Sequence, residues 1–540
     1  MGSVGDLVAY ARFAAALPAF LRQGMTVERA RGEVRRRLAS REESFLDTVR
    51  RGVFQRPESP YRRLFELAGC GEGDLERAVR SDGVEGALAG LRRVGVYLGF
   101  EEFKGRAAIV RHGVEIPVPP RAFETRALAP SVHGRTGGSS GVGMRVSLDL
   151  DHASVVLAGT VLMLDAQGFN DAPSVVWLPP LPSLAGVSIV LRSAARGCVA
   201  ERWFSPVAGD EFRTMLKDRA AMAMVLFTGA LCGARLPRPQ AVAMEEAATV
   251  ARWVAGALAR HGRCLVHAHV SGLVRVAVAA SDLGLDLTGA AFSGGGEAPT
   301  GVKVAAMRAC GASFVPTYYL SEAGAVGLAC ARGADPTDVH FMADALAVIQ
   351  DQVAVPGSGV AVPALYYTTL LPTAPKLLIN VESNDFGVLE ERACGCPLDD
   401  VGLSRHIRQV HSYGKLTGEG ISLVDRDMLH ILEEVLPARF GGSPLDFQLA
   451  EEEDAGGLTR IVLRVHPRVA IPSEEAVREA ILSALAGGDA GAVVTRALWR
   501  AGGTLVVRRE EPRLTAQGKL LPIQTRGVTG VRPPSGGAPQ

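Results

Sequence analysis

The run Cys264-Leu265-Val266-His267-Ala268 is short and apolar, and two runs of the same kind follow it: Gly289-Ala290-Ala291-Phe292-Ser293 and Ser313-Phe314-Val315-Pro316-Thr317. The segments between them read as helices, one reaching Ala280 and one from Thr300 to Cys310. Apolar runs this short, separated by helical stretches, mark strands buried on both faces of a parallel sheet, because the crossover helices cover both sides. Residues 264–317 therefore predict an α/β fold with mostly parallel sheets flanked by helices.

The alternation extends upstream. Asp151 to Leu164 reads as a helix, Ser174 to Leu178 and Val187 to Leu191 as β-branched strands, Met222 to Phe227 as a further strand, and Met244 to Arg260 as a helix. Ala107 to Val110 and Glu115 to Val118 read as short strands, and Val146 to Leu150 as a strand or the entry to a helix. From Leu7 to about Phe103 the apolar residues keep helical spacing among abundant Arg and Glu, broken at Pro57 to Pro60. Leu64, Leu67, Leu75, Val79 and Leu88 are the core-facing set there. Downstream, Ala364 to Thr368 and Lys376 to Val381 read as strands. Past residue 412 the composition changes, and Met428 to Leu436, Ile461 to Val465, Ser473 to Leu485 and Thr504 to Arg508 predict a small mobile α+β domain. The chain thus divides into a helical N-terminal layer (1–105), a large domain (106–412), a small C-terminal domain (413–530) and a Pro- and Gly-rich tail (531–540) expected to be disordered.

With 540 residues, 47% of them apolar, the chain can bury a large core. Its 58 Lys and Arg against 57 Asp and Glu leave no charge excess to recruit nucleic acid or an anionic membrane. The apolar run from Leu7 to Phe20 is interrupted by Arg12 and has no basic segment before it. Neither a signal peptide nor a membrane span is expected, and a cytoplasmic location is. Eight cysteines, scattered except for Cys394 and Cys396, do not resemble a disulfide framework; free thiols or a metal site are the readings left.

The segment of small residues His133-Gly134-Arg135-Thr136-Gly137-Gly138-Ser139-Ser140-Gly141-Val142-Gly143 reads as a phosphate loop or as a flexible linker. Small residues let backbone N–H groups converge on phosphate oxygens, and hydroxyls add donors without bulk. It is not a Walker loop, because no GxxxxGK[ST] is present, and its glycine spacing reverses that of a dinucleotide fingerprint. Two further polar segments follow expected strands: Ser293-Gly294-Gly295-Gly296-Glu297-Ala298-Pro299 and Tyr318-Tyr319-Leu320-Ser321-Glu322-Ala323-Gly324. Ligands of α/β sheets bind at the carboxyl ends of strands, which weakens the linker reading of the first loop.

In this order the segments resemble the adenylate-forming superfamily of acyl-CoA synthetases, adenylation domains and luciferase-like enzymes. Thr136-Gly137-Gly138-Ser139-Ser140-Gly141 resembles its phosphate loop, and Tyr318-Tyr319-Leu320-Ser321-Glu322 its YGxTE segment. Asp385 in Asn384-Asp385-Phe386-Gly387 falls at the ribose-binding aspartate, Gly414-Lys415 near the hinge, and Lys519 at the catalytic lysine. Glu297-Ala298-Pro299 looks like the GAEP segment of the phenylacetate–CoA ligase-like branch, and Cys330, His340, Cys394 and Cys396 fall where some of its members carry a metal. The sequence departs from the pattern where Gly143 and Met144 replace Pro and Lys, Tyr319 replaces Gly, and Lys415 replaces Arg.

The resemblance implies an ATP-dependent ligase that activates a small carboxylic acid, aryl or apolar, as an acyl-adenylate and passes it to a thiol of CoA or a carrier protein. Transfer to an amine or a protein residue is the alternative, and a non-catalytic nucleotide-binding relative is the alternative of another class. Thr136, Ser139, Ser140 and the loop glycines would cradle phosphates. Glu322 would hold Mg²⁺, a hard cation suited to carboxylate oxygens, and Ser321 would approach the α-phosphate. Tyr318, Tyr319, Gly295, Gly296 and Glu297 would line the adenine, Asp385 would accept from the ribose, Lys415 would serve the hinge, and Lys519 would bridge carboxylate and α-phosphate. Lacking the usual loop lysine, the loop would depend on backbone donors, hydroxyls and Arg135 or Arg145 for charge. Zinc suits a Cys₃His set, and Cys394-x-Cys396 can place two thiolates on one ion, with buried unreactive thiols as the other reading. Trp177 to Leu184, Trp203 to Pro206 and His267 to His269 are candidate linings of the acid pocket.

Overall fold

A computed structural model of the protein describes residues 4–119, 121–125, 130–135, 145–206, 216–354, 361–413, 415–418, 421–424, 428, 431–485, 499–513 and 522–525. The loop Thr136 to Gly141, Gly414, Lys519 and the tail 531–540 lie outside them, as do the side chains of Arg135 and Lys415.

Two hairpins precede the main sheet: β1 (Ile109–Arg111) with β2 (Val114–Ile116), and β3 (Ser131–Arg135) with β4 (Arg145–Asp149). The alternating region then lays down β5 (Ser174–Trp177), β6 (Arg202–Ser205), β7 (Pro239–Ala241), β8 (Cys264–His269), β9 (Ala290–Gly295) and β10 (Ser313–Leu320). A helix follows each of the first five, and all pairings among these strands are parallel. β11 (Gly324–Ala329), β12 (Val339–Phe341), β13 (Leu346–Ala354), β14 (Ala361–Thr369), β15 (Val381–Glu391) and β16 (Arg405–Ser412) extend the sheet in antiparallel pairings, since the links between them carry no crossover helix. The result is one twelve-stranded sheet in the order β13-β14-β15-β16-β12-β11-β10-β9-β8-β5-β6-β7, parallel over one half and antiparallel over the other. After the hairpin β17 (Lys415–Gly418) and β18 (Ile421–Val424), a separate sheet of β19 (Phe447–Glu453), β20 (Thr459–Val465), β21 (Leu505–Arg508) and β22 (Ile523–Gln524) packs on the helix Glu474–Ala484. The α/β architecture and the small C-terminal unit are those expected from the sequence, with the parallel half of the large sheet confined to residues 174–316 and two further parallel pairings, β19 with β22 and β20 with β21, in the small sheet.

Three local expectations are overturned. Val187–Leu191 lies within the helix Leu184–Ala195, and Met222–Phe227 within the helix Leu216–Leu231. In the first, Gly186, Val187, Val190, Leu191 and Ala194 are buried at helical spacing, and the Ser183 hydroxyl caps the amino end. In the second, Ala221, Val225 and Gly229 recur every four residues on the buried side. Tertiary burial along one stripe outweighs β-branched propensity in both. The third is Lys376–Val381, which enters β15 only at Val381. Asn380 has φ +49°, and its side-chain amide donates to Leu88 O (2.8 Å) and Val96 O (3.1 Å) in place of a strand ladder.

The N-terminal helices have no core of their own. Phe13, Leu17 and Val34 pack with Leu157, Leu178 and Trp203, while Phe45, Tyr61, Leu64 and Leu88 pack with Tyr366, Leu370 and Ile379. Leu75 and Val79 are buried with this second set and Leu67 is half-buried against it. No helix among the described residues is long and apolar enough to cross a membrane.

Gly186 tests how closely the helix Leu184–Ala195 is seated. A Cβ there would lie 2.6 Å from Pro179 O and 2.8 Å from the Trp203 ring. Alanine gains about 1 kcal/mol of helix propensity over glycine, but forced overpacking of this kind costs typically about 1–3 kcal/mol. Gly186→Ala is therefore expected to destabilise the protein in chemical denaturation despite the better helix former.

Candidate functional site

β10 is the strand at which the sheet changes character, with β9 parallel on one side and β11 antiparallel on the other. Its carboxyl end runs through Tyr318, Tyr319 and Leu320 into the turn Ser321-Glu322-Ala323. The two backbones are closest at Gly295, where a Cβ would sit 2.1 Å from Thr317 O, so no side chain fits. The carboxyl ends of β8, β9 and β10 open into a crevice with two arms that share Thr317, Tyr319 and Leu320.

One arm is a polar cleft of about 150 Å³ lined by Gly296, Glu297, Tyr318, Asp385, Ser412 and Thr459, among others. Asp385 is 4% exposed and fully engaged: the Tyr318 phenol donates to Oδ2 (2.8 Å) and the Ser412 hydroxyl to Oδ1 (2.7 Å). Tyr367 donates in turn to the Tyr318 oxygen (3.4 Å). Burial and the neighbouring Asp385 carboxylate push the Tyr318 phenol well above its usual value, so it stays a neutral donor. Glu297 accepts from the Ser271 hydroxyl and from Lys303 Nζ (3.1 Å), with both ionic side chains essentially unexposed. Burial works against its ionisation, but the Lys303 ammonium outweighs it and holds the carboxyl below the ordinary range. Lys303 also donates to the Thr459 hydroxyl (2.7 Å) on β20, which ties the small unit to this cleft.

Glu322 is buried and ion-paired with Lys104, from just beyond the short helix Phe100–Phe103. Desolvation raises its carboxyl, and Lys104 with Lys376 more than reverses that. Lys376 Nζ and Arg145 Nε both lie 3.7 Å from Glu124 Oε1, and in the sequence Arg145 directly follows residues 136–144, which lie outside the described residues. Lys104, Lys376 and Glu124 belong to no motif, so sequence reading passes over them. The signal is scarcity: the chain has six lysines, Lys104, Lys217, Lys303, Lys376, Lys415 and Lys519, in a sequence that otherwise uses arginine.

The other arm is a mostly apolar cavity of about 350 Å³, walled by the helices Leu150–Ala166 and Leu184–Ala195 and by the ends of β8, β9 and β10. Leu178, Pro179, Leu184, His267 and His269 line it, along with Ser321. Trp203 is instead core, its indole N–H donating to Leu178 O (2.8 Å). His152 Nε2 meets Ala323 O at 2.9 Å, and burial lowers this imidazole to about 4. Burial, aided by the fields of Arg196 and Arg192, lowers His267 to about 3.

A third cluster lies away from the crevice. His340 Nε2 is 3.0 Å from Cys396 Sγ and 3.6 Å from Cys394 Sγ, and Cys330 Sγ is 3.6 Å from Cys394 Sγ. The four residues singled out from the sequence are thus brought together. His406 joins them: one ligand atom each from Cys330, His340, Cys394 and His406 lies within 4.8 Å of the others. Its Nδ1 is on Asp338 (2.8 Å), while its buried Nε2 has no hydrogen-bond partner.

No family model and no curated protein matches the sequence. Solved structures of similar chain course are found. A 2-hydroxyisobutyryl-CoA ligase in complex with 2-HIB-AMP and CoA is 15% identical, with 94% of this chain and 92% of that one covered and a TM-score of 0.48. The amide bond synthetase McbA from Marinactinospora thermotolerans is 14% identical over 94% of this chain and 97% of that one, with a TM-score of 0.43. The anthranilate CoA ligase AuaEII, in complex with anthranoyl-AMP, is 13% identical over 72% and 64%, with a TM-score of 0.32.

The two buried imidazoles make stability depend on pH with a definite sign. Both have folded values below the ordinary 6.5, so between that value and about 4 the unfolded chain binds protons the folded chain does not. Their stabilising contribution is complete above about pH 6.5 and is lost as pH falls, by about 3 kcal/mol for His152 and about 5 kcal/mol for His267 once pH is below both values. Urea denaturation from pH 7 to pH 4.5 is expected to show a shallower decline in His267→Gln than in the parent.

Proposed function

We propose that the protein is an adenylate-forming ligase, which activates a carboxylic acid with ATP and transfers the acyl group to a thiol of CoA or a carrier protein. The observation that carries this reading is the Tyr318–Asp385–Ser412 constellation, a buried carboxylate held by two half-buried hydroxyl donors, in a polar cleft that meets an acid-sized apolar cavity at Tyr319 and Leu320. A nucleotide needs an aromatic face and a carboxylate acceptor for ribose hydroxyls, and the acid needs apolar walls beside it. One crevice supplies both.

In the first half-reaction an oxygen of the acid carboxylate attacks the α-phosphorus, the bond from that phosphorus to the bridging oxygen of pyrophosphate breaks, and pyrophosphate leaves. In the second, the thiolate attacks the acyl carbon and AMP leaves. Hydroxide is a poor leaving group from a free acid; AMP is a good one. Two anions must be held together in the first step, so positioning and charge neutralisation matter more than proton transfer. Ser321 and Lys519 would serve the α-phosphate, and the loop Thr136 to Gly141 the β- and γ-phosphates. Lys104, Lys376 and Arg145 provide the positive charge that the loop lacks at Met144. Glu322 fits a Mg²⁺ ligand because its buried carboxylate already sits against a cation, the Lys104 ammonium. Bound Mg²⁺ would supply Lewis-acid stabilisation of phosphate charge.

A structural zinc is proposed for the cysteine–histidine cluster. Ligand atoms of a tetrahedral zinc lie about 3.3–3.8 Å apart, given bonds near 2.0–2.3 Å, and the 3.6 Å separations of Cys330, Cys394 and His340 match this. His340 Nδ1, 2.6 Å from Leu403 O, leaves Nε2 for the ion. Cys396 and His406 compete for the remaining position.

Acid-dependent exchange of labelled pyrophosphate into ATP, run over a panel of acids, is the test: exchange is expected with some acids, and nucleotide binding without exchange for any acid would refute the ligase reading. Lys519→Ala is expected to lower exchange roughly 100-fold or more, the scale of losing an electrostatic group at a developing charge. Asp385→Asn is expected to raise the KM for ATP about tenfold, as loss of a charge-assisted hydrogen bond implies. Protein purified without added metal is expected to hold about one equivalent of zinc by elemental analysis, against well below one in Cys394→Ser.

A further inference from the structure

Arg196 stands at the carboxyl end of the helix Leu184–Ala195 and lines the acid cavity. It is 8% exposed, and none of its three guanidinium nitrogens has a hydrogen-bond partner. This is an expensive arrangement, because a buried charge without a partner loses its hydration and gains no hydrogen bond or counter-charge in return. The neighbouring groups, the Cys198 thiol and the Asp171 carboxylate, offset its burial only in part. Asp171, the carboxylate in its field, is largely exposed and paired with Arg263 (2.6 Å). Asp149 is the one acid lining the cavity, and its Oδ1 accepts from the backbone N–H groups of Asp151 and His152.

Ser188, Arg192 and Arg196 follow one another at four-residue intervals, so they line one face of the helix, about 6 Å apart along its axis. Arg192 stacks its guanidinium 5.5 Å from the centre of the Tyr319 ring at the mouth of the nucleotide arm. Arg196 lies one turn deeper. His267, in the field of both guanidinium groups, is two residues short of the carboxyl end of β8.

We infer that the acid carries a second anionic group, a carboxylate or an equivalent oxyanion, and that Arg196 binds it deep in the cavity with Arg192 and His267 beside it, while the first carboxylate reaches Ser321. A planar guanidinium with all its donors free accepts a carboxylate in bidentate fashion, which neither an aryl ring nor an alkyl chain can satisfy. The inference rests on the ligase reading for the reaction, but the anion subsite stands on its own geometry.

The test uses the full chain and pairs each dicarboxylic acid, from four to ten carbons, with its monomethyl ester. In pyrophosphate exchange the preferred diacid is expected to exceed its ester by about 100-fold or more in kcat/KM, as a site built around a polar group rejects the analogue lacking it. Arg196→Leu is expected to abolish that preference while retaining exchange with the ester, and to raise the thermal midpoint, because an uncompensated buried cation has been removed. A purely structural arginine would do the reverse and lower the midpoint. Arg196→Lys, which keeps the charge without the fork, is expected to raise the KM for the diacid with little change in kcat. Esters as good as diacids, or a diacid preference surviving in Arg196→Leu, overturns the inference. If no acid supports exchange, calorimetry of the same diacids decides separately: binding that disappears in Arg196→Leu upholds the subsite while the ligase reading fails, and binding that persists removes both.

Discussion

The pairing of β10 with a parallel neighbour on one side and an antiparallel one on the other is the constraint on which the rest of the molecule depends. The parallel side needs crossover helices, and one of them, Leu184–Ala195, walls the apolar cavity. The antiparallel side permits a tight turn, and that turn carries Ser321 and Glu322. The nearly touching backbones at Gly295 and Thr317 bring the two arms of the crevice to one point. Had β10 been joined to β11 by a crossover helix, Glu322 would have been carried away from Lys104.

Around that point the protein accumulates buried charge, and it does so with lysine in a chain that elsewhere relies on arginine. Lys104 on Glu322, Lys303 on Glu297 and Lys376 beside Glu124 are compact cations placed within a few ångströms of carboxylates. Arginine presents a rigid fork that fixes its partner, whereas an ammonium on a flexible stem can change partner without rebuilding its surroundings. The N-terminal layer contributes Lys104, so the layer is part of the site as well as of the core. Among the described residues, the guanidinium groups lining the crevice are Arg192 and Arg196, in the apolar arm.

The alternating strands of residues 264–317 are legible in sequence because strands buried on both faces leave uninterrupted apolar runs. The same rule misleads at Val187–Leu191 and Met222–Phe227. Over five residues an apolar run has no measurable period, and only the helix beyond it decides the outcome. Lys376–Asn380 misleads differently, because the hydrogen bonds of Asn380 to Leu88 and Val96 come from a part of the chain nearly three hundred residues away. At the site, Asp385 and Tyr318 were readable from motif order, and the four metal-type residues from their place in it. Lys104, Glu124, Lys376, Arg196 and His406 were not, since each acquires its meaning only from neighbours distant in sequence.

The ammonium of Lys303 is held from two sides, by Glu297 at the polar cleft and by Thr459 in the small C-terminal unit. The free energy with which that unit docks therefore includes part of the solvation balance of a charge buried under the cleft. Thermodynamic linkage then makes the two inseparable: whatever amount a ligand of the cleft adds to or removes from that balance, it adds to or removes from docking as well, and docking returns the same amount to the ligand's affinity. One threonine hydroxyl is enough to make the position of the small unit a reporter of what occupies the cleft.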